Sequence, residues 1–345
     1  MPFPRTPADQ PKGHTVNGPT NNQKLRIFSG RANKPLAENI AKSLGVPLGR
    51  LFLEDFPDGE TNVRIDEDVR GRDVFIVQPT CTPVNHTLLE LLVILDAFKR
   101  ASPSRITAVL PYYGYARQDR KDAGRVPISA KLVADLLTAA GTNRVLCLDL
   151  HAAQIQGFFN IPVDHLYAVK EIVAYMRELK IPDAELVVLS SDEGAIKKAL
   201  MYQKRLGGQI AVVDKRRGSA TQTEQAHILG ASVEGKTVCI FDDMISTAGT
   251  IAGAARAAKA NGAKRVYVAA THGVLVKDAV ERLRDAPIEQ VIVTDSVPLA
   301  AEKRDRLPNL HVLSVARLLA DAIHRIHGNE SLSVLFNDDA VDRKS

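Results

Sequence analysis

The stretch from Val238 to Thr250, VCIFDDMISTAGT, combines residue types that could bind a phosphorylated sugar. An apolar run typical of a strand, 238–241, ends at the adjacent acids Asp242 and Asp243. Small and hydroxylated residues then lead into an alanine-rich run, 251–260, which is typical of a helix. These five residues are Ser246, Thr247, Ala248, Gly249 and Thr250.

A strand, a tight loop and a helix start provide the chemistry that such a ligand needs. The free N–H groups of the first helical turn attract an anion, Gly249 allows close approach of the backbone, and Thr247 and Thr250 could cap the helix. The two carboxylates would repel a phosphate, so we expect them to face sugar hydroxyls or a divalent cation. The stretch lacks the Gly-Lys-Ser/Thr of a nucleoside-triphosphate P-loop, and a capped turn with a chance acidic pair is the alternative.

Three further segments carry candidate site residues. Residues 111–127, PYYGYARQDRKDAGRVP, are typical of a loop that folds over a polyanion, with a solvated charged loop as the alternative. Asp149 and His151 follow a predicted strand and lie two residues apart, so both project from the strand end where α/β folds bind ligands. Lys215 and Arg217 follow another strand-like run and are either surface charge or stabilisers of transition-state charge.

A metal role for Asp149 and His151 is left open by their chemistry. Magnesium prefers oxygen ligands, so His151 could instead contact a phosphate or act through water.

Composition excludes several classes of protein. The 345 residues carry 45 basic and 40 acidic side chains, and a net charge of +5 is too small to indicate a nucleic-acid partner. Three cysteines cannot form a paired disulfide framework, which favours a reducing, cytoplasmic location. No segment has the length of a membrane span, and the N-terminus lacks the apolar core of a signal peptide. We therefore expect small-molecule ligands and no membrane partner.

The order of predicted elements indicates an α/β fold built from a duplicated unit. GRDVFIVQPT…SRITAV and GKTVCIFDDM…KRVYVAA share a strand, a loop, a helix and a strand with similar punctuation. Gln78 and Pro79 stand in the first copy where the second has Asp242 and Asp243. Only the second half is therefore expected to keep the sugar-phosphate chemistry.

Boundaries follow from the same pattern. We predict a disordered proline-rich tail over 1–23, domains over 24–167 and 168–327, and a tail over 328–345. Packing of the last segment of the second domain back on the first domain is left open. FPDGE, residues 56–60, joins two strand-like runs as a hairpin turn.

Taken together, five blocks resemble the ribose-phosphate pyrophosphokinases, a family with the type I phosphoribosyltransferase fold. The resemblance covers roughly residues 25–327, since the blocks extend over most of the chain. The blocks are FPDGE, PYYGYARQDRK, DLHAAQIQGFFNIPVDHL, VDKRR and FDDMISTAGT.

The resemblance implies two tandem phosphoribosyltransferase-like domains, each a mainly parallel sheet flanked by helices. It also implies transfer of the β,γ-diphosphoryl group of MgATP to the anomeric hydroxyl of ribose 5-phosphate. The implied ATP contacts are Phe56, Asp58, Gly59, Glu60, Arg117, Gln118, Asp122 and His151. The implied Mg²⁺ residues are Asp149, His151 and Asp192, and the implied catalytic residues are Lys215 and Arg217. The implied ribose 5-phosphate residues are Arg217, Asp242, Asp243, Ser246, Thr247, Ala248, Gly249 and Thr250.

The family also implies a homo-hexamer built from dimers that share ATP sites, with phosphate and ADP as effectors. Three departures stand out: Ser246 and Asn160 replace acids, and 276–279 replaces a Ser-Gly-Pro-Ala run. The first two remove negative charge near the sugar and the metal, and the third leaves the effector response open. Two alternatives to a diphosphokinase are a phosphoribosyltransferase that consumes the diphosphate and a catalytically silent regulatory paralogue.

Overall fold

The computed structural model describes residues 24–214 and 227–336. The predicted tail over 1–23, the predicted catalytic residues Lys215 and Arg217, and the C-terminal residues 337–345 lie outside the described residues.

Strands of the first half form a five-stranded parallel sheet in the described chain, in the order β1-β4-β5-β6-β7. Its three central strands, β4, β5 and β6, are mostly apolar, because helices cover both faces of a parallel sheet. The strands are β1 Leu25–Ser29, β4 Asp73–Val77, β5 Arg105–Leu110, β6 Arg144–Leu148 and β7 Val163–Leu166. The helices of this half are α1 Lys34–Leu44, α2 Val84–Ala101 and α3 Ser129–Ala140.

The second half forms a seven-stranded sheet within the same described ranges, in the order β10-β9-β8-β11-β12-β13-β14. Its neighbouring strands are parallel except for the edge strand β10, which runs antiparallel to β9. The strands are β8 Leu186–Ser190, β9 Gln209–Asp214, β10 His227–Gly230, β11 Thr237–Ile245, β12 Arg265–Gly273, β13 Gln290–Thr294 and β14 Leu310–Leu313. The helices are α4 Val169–Glu178, α5 Ile196–Leu206, α6 Gly249–Ala260, α7 Ala279–Arg284 and α8 Ala301–Asp305.

A separate two-stranded hairpin, β2 Leu51–Asp55 and β3 Thr61–Ile65, lies beside the first sheet. Four of its apolar residues, Leu51, Leu53, Val63 and Ile65, pack on the core under α2 and α3. Gly59 at the tip adopts a left-handed conformation with φ of 91°, which glycine reaches without strain. The predicted FPDGE hairpin turn is thus present.

The chain returns to the first half after it has completed the second sheet. Helix α9, Ala316–His327, packs its apolar face on α1, and α10, Ser333–Phe336, follows. His327 Nδ1 lies 2.7 Å from Asp73 Oδ2, and Arg105 donates to the Ile326 carbonyl at 3.0 Å. The two halves are therefore linked by the C-terminal helix as well as by the connection after β7.

The α/β class with two mainly parallel sheets is confirmed, and two local predictions are wrong. Strand β11 continues through Asp242 and Asp243 to Ile245, because β12 pairs with it as far as Gly273. Helix α6 begins at Gly249 rather than Ile251, after Ala248 in a left-handed conformation with φ of 60° and without a side-chain cap. None of the helices in the described ranges combines the length and apolar character that spanning a bilayer requires.

Candidate active site

Five of the predicted ligand-binding residues lie at the carboxyl ends of parallel strands from both sheets. Asp149 and His151 follow β6, Asp192 follows β8, and Asp242 and Asp243 lie in the last part of β11. In open α/β sheets this is the edge where ligands bind.

The acidic pair of β11 is bridged by a lysine that sequence analysis did not single out. Lys198 on α5 donates to Asp242 Oδ1 at 2.8 Å and also to Asp243 Oδ1. Burial opposes its charge, but the charges of Asp242 and Asp243 outweigh burial and raise the pKa of Lys198. The two carboxylates are therefore held together in one orientation by a common cation.

Asp243 also reaches the first half of the chain. His151 Nδ1 lies 2.8 Å from Asp243 Oδ2. Burial works against ionisation of Asp243, yet the hydrogen bond from His151 and the charge of Lys198 hold its pKa well below its usual range. An ionised carboxylate can only accept, so Nδ1 is the nitrogen that carries hydrogen. The hydrogen bond to Asp243 in turn raises the pKa of His151.

Asp242 differs from its neighbour in electrostatics. Burial raises the pKa of Asp242, although the charge of Lys198 works in the opposite direction. The proton affinities of the two adjacent acids are thus pushed apart, with Asp243 the more firmly ionised.

Residues 246–250, called the loop 246–250 below, comprise the turn after β11 and the first two residues of α6, and α7 supports them from one side. Gly249 and Thr250 are exposed, whereas Ala248 is buried. Arg282 Nη1 donates to the Thr247 carbonyl at 3.1 Å, and the Val276 amide donates to the Ser246 carbonyl at 3.0 Å. The first N–H groups of α6 have no intrahelical partner, so the loop and the helix start offer hydrogen-bond donors to an anion, and phosphate binding there stays a prediction.

Asp192 begins a short 3₁₀ turn over Glu193–Ala195. Its Oδ1 accepts the Ala195 amide at 3.1 Å, and the Ser190 hydroxyl donates to its carbonyl at 2.7 Å. Across 24–214 and 227–336, no group of three or more His, Cys, Asp or Glu side chains is arranged to hold a metal ion. The metal roles of Asp149, His151 and Asp192 stay predictions.

Apart from His151, the predicted ATP residues lie on two exposed segments of the first half. Phe56, Asp58, Gly59 and Glu60 form the tip of the β2–β3 hairpin, and the Phe56 side chain is exposed. Arg117, Gln118 and Asp122 are exposed in the loop between β5 and α3. Arg117 lies close enough to His151 for its charge to oppose protonation of the imidazole.

Comparison with known proteins identifies the family of this arrangement. Residues 25–141 match the N-terminal domain of ribose phosphate pyrophosphokinase, and residues 221–337 match the phosphoribosyl synthetase-associated domain. A ribose-phosphate pyrophosphokinase of Rhodopirellula baltica is 58% identical, over 92% of this chain and 99% of that protein. One of Clostridium perfringens is 51% identical, over 92% of this chain and 98% of that protein.

The chain belongs to the ribose-phosphate pyrophosphokinase family. The crystal structure of phosphoribosylpyrophosphate synthetase from Mycobacterium smegmatis matches with a TM-score of 0.83 and 45% identity, covering 89% of this chain and 99% of that one. The predicted family, fold and ribose-phosphate diphosphokinase activity are confirmed. The protein is an enzyme of the transferase class that moves the diphosphoryl group of ATP to the anomeric hydroxyl of ribose 5-phosphate.

In the enzyme, each residue of the segment 149–151 makes a hydrogen bond that fixes its position. Asp149, with φ of 39°, accepts the Thr271 hydroxyl at 2.7 Å and the Ala168 amide at 2.9 Å through Oδ2. The Leu150 amide donates to His165 Nε2 at 2.8 Å, and His151 contacts Asp243. Since Thr271 belongs to β12, the second sheet fixes the loop at the end of the first.

His165 makes this segment sensitive to acid. Burial lowers the pKa of His165 to about 4, so its Nε2 accepts from Leu150 as a neutral ring. In the unfolded chain this histidine titrates near 6.5, so protons bind first to the unfolded state as the pH falls. Its contribution to stability is complete above pH 6.5 and is lost as the pH falls toward 4.

We therefore expect this side chain to lower the free energy of unfolding by about 2 kcal/mol between pH 7 and pH 5. Urea unfolding of the parent and of His165→Asn at the two pH values measures how much His165 contributes to this pH dependence. Asparagine is suitable because its amide oxygen can accept the hydrogen bond without titrating. Equal pH dependence in both proteins would show that His165 does not carry the effect.

Proposed function

We propose that ribose 5-phosphate binds with its phosphate on the loop 246–250 and its hydroxyls at Asp242 and Asp243, with MgATP placed across His151. The observation that supports this most directly is the His151–Asp243 hydrogen bond of 2.8 Å. It joins Asp243, which is proposed to bind ribose 5-phosphate, to His151, which is proposed to bind MgATP. The two substrates would then meet where the carboxyl edges of the two sheets face each other.

Positioning and charge neutralisation are the main demands of this reaction. The anomeric oxygen forms a bond to the β-phosphorus of ATP in line, and the bond from that phosphorus to the bridging oxygen breaks. The bond's electron pair leaves with AMP, and the proton of the hydroxyl is released. Asp242 and Asp243, fixed by Lys198, would hold the sugar hydroxyls so that the anomeric oxygen points at the nucleotide.

Lys215 and Arg217 are proposed to stabilise the charge that develops on the transferred diphosphate. In the sequence they come after Asp214, the last residue of β9, and β9 ends at the same sheet edge as β11. A lysine supplies a compact charge and an arginine a planar fork, so the pair could contact several phosphate oxygens.

The side chains present fit a Mg²⁺ that arrives with the triphosphate. The ion usually keeps several waters and takes one or two protein ligands beside substrate phosphates, so a complete protein cage is not required. His151 donates its Nδ1 hydrogen to a carboxylate, which is the arrangement that orients metal-binding histidines. His151 and Asp192 would hold the ion and Asp149 would support them, and a bound Mg²⁺ would neutralise phosphate charge.

The nucleotide is proposed to contact the hairpin tip residues Phe56, Asp58, Gly59 and Glu60 together with Arg117, Gln118 and Asp122. Phe56 is 48% exposed, which is unusual for a phenylalanine and fits an aromatic ring that is available to contact the base of the nucleotide. The hairpin projects from the first sheet, which fits an ATP site shared with a second copy in a homo-oligomer, by resemblance a hexamer.

The boundaries of the two domains, 24–167 and 168–327, are part of the same proposal. They are supported by strands β1–β7 before residue 167 and β8–β14 after it. A cytoplasmic location is supported by Cys81, Cys147 and Cys239, which are buried and unpaired. Phosphate and ADP are proposed effectors, and the altered segment 276–279 makes their influence an experimental question.

Release of AMP from ATP in the presence of ribose 5-phosphate tests the proposed function. We expect AMP and 5-phosphoribosyl 1-diphosphate to form in equal amounts and only when both substrates and Mg²⁺ are present. Adding phosphate or ADP to the same assay measures the effector response. Purified, folded protein that binds both substrates but forms no AMP would instead indicate a silent paralogue.

A further inference from the structure

The first half contains a counterpart of the sugar-binding strand end that is filled by its own side chains. Strand β4 ends at Val77 and is followed by Gln78, which corresponds in the duplicated sequence to Asp242 of β11. Gln78 is fully buried, and a Cβ added to Gly30 would collide with its amide. The Gln78 amide oxygen accepts the Ala32 amide at 3.1 Å, so the side chain bridges the ends of β1 and β4.

A buried carboxylate continues this arrangement. Glu90 on α2 has a side-chain exposure of 1% and accepts from Gln78 Nε2 at 2.9 Å. It also accepts from the Arg31 backbone amide at 2.7 Å and from Arg31 Nε at 2.5 Å. The charge of Glu90 is thus compensated by one guanidinium, which fixes the position of Arg31 relative to the sheet.

The other edge of the Arg31 guanidinium reaches the hairpin. Nη1 and Nη2 donate to Asp55 Oδ2 at 3.0 Å and to Oδ1 at 2.6 Å. Asp55 is the last residue of β2 and immediately precedes Phe56 at the tip. A two-stranded hairpin is marginally stable alone, and its apolar face fixes its base rather than its tip. The planar fork of Arg31 binds Asp55, the residue next to the tip.

We propose that Arg31 is a positioning residue for ATP, which holds the β2–β3 hairpin tip through Asp55 while it is itself anchored on Glu90. The strand end that lost sugar chemistry in the first half has become the anchor of the nucleotide-binding hairpin. This inference rests on the proposed contact of ATP with residues 56–60.

The test compares KM values for the two substrates in purified full-length variants. Arg31→Met removes the fork and is expected to raise KM for ATP about tenfold, with KM for ribose 5-phosphate within about twofold of the parent. Asp55→Asn breaks only the outer, exposed pair and leaves Arg31 on Glu90. It should shift KM for ATP in the same direction even where Arg31→Met folds poorly.

Arg64→Met is the matched control. Arg64 lies on the same hairpin and pairs with Asp66 at 2.7 Å, but it is 66% exposed and does not reach Glu90. Both KM values should stay at those of the parent. General destabilisation of the enzyme would instead change KM for ATP and KM for ribose 5-phosphate alike in all three variants.

Phe56→Ala separates failure of this inference from failure of the proposed function. If Phe56→Ala raises KM for ATP while Arg31→Met and Asp55→Asn leave it unchanged, the positioning role is overturned and the ATP contact stands. If Phe56→Ala also leaves KM for ATP unchanged, the hairpin does not bind ATP and both proposals are wrong.

Discussion

Lys215→Ala is expected to lower kcat by about 10²- to 10³-fold while the affinity for ribose 5-phosphate stays nearly unchanged. The reason is that the proposed role of Lys215 is confined to the transferred diphosphate, whose charge grows during transfer. The sugar contacts lie on β11 and the loop 246–250. A cation that acts mainly in the transition state changes kcat and kcat/KM together, with little effect on substrate binding.

Steady-state AMP release gives kcat, and equilibrium binding of ribose 5-phosphate gives the affinity. Lys197→Ala is a suitable control, since Lys197 is an exposed lysine one position before the bridging Lys198. It should behave like the parent in both measurements. Turnover of Lys215→Ala within tenfold of the parent would mean that Lys215 does not stabilise the transferred group.

The local sequence pattern predicts much of this fold, because strands and helices alternate and are separated by recognisable turn and loop residues. The apolar run before Asp242 and the alanine-rich run after Thr250 predict β11 and α6, and the duplicated order predicts a second sheet of the same kind. Exact ends are set by neighbours. Strand β11 extends past Asp242 and Asp243 because the neighbouring strand β12 is nine residues long and pairs with it. The length of β12 cannot be predicted from residues 238–250.

Side-chain partners that come from distant segments were not predictable in the same way. Lys198 lies beside Lys197 on α5, and the sequence offers no reason to prefer one of them as the partner of an acidic pair 44 residues away. Thr271 and Arg31 are likewise ordinary residues until the fold places them against Asp149 and Asp55. Spacing identifies residues that share a strand end, whereas pairing across sheets requires the tertiary structure.

The strand spacing and the structure give different accounts of Asp149. Residues two apart at a strand end suggest that Asp149 and His151 point together at a ligand. In the structure Asp149 is half-buried, this burial raises its pKa, and its Oδ2 accepts from both Thr271 and Ala168. The left-handed backbone at Asp149 breaks the strand geometry on which the two-residue argument depends.

Asp243→Asn is expected to lower kcat/KM for ribose 5-phosphate by about 10²- to 10³-fold, since hydrogen bonds to a charged group contribute about 1.5–3 kcal/mol each. The same change should raise KM for ATP, because His151 loses the carboxylate that orients it. Asp242→Asn should lower kcat/KM for ribose 5-phosphate and leave KM for ATP unchanged, since Asp242 is bridged to Lys198 and does not contact His151. Measuring both KM values in the two variants compares these effects.

Loss of fold could imitate this result, and a third carboxylate controls for it. Asp164 on β7 pairs with Arg144 at 2.6 Å and is 17% exposed, against 11% for Asp243, so Asp164→Asn also breaks a partly buried ion pair. We expect it to lower stability while leaving both KM values unchanged. If Asp243→Asn alters ribose 5-phosphate binding but leaves KM for ATP at the parent value, His151 does not depend on Asp243. In that case the two substrates are not coupled through this hydrogen bond, and the sheet edges act independently.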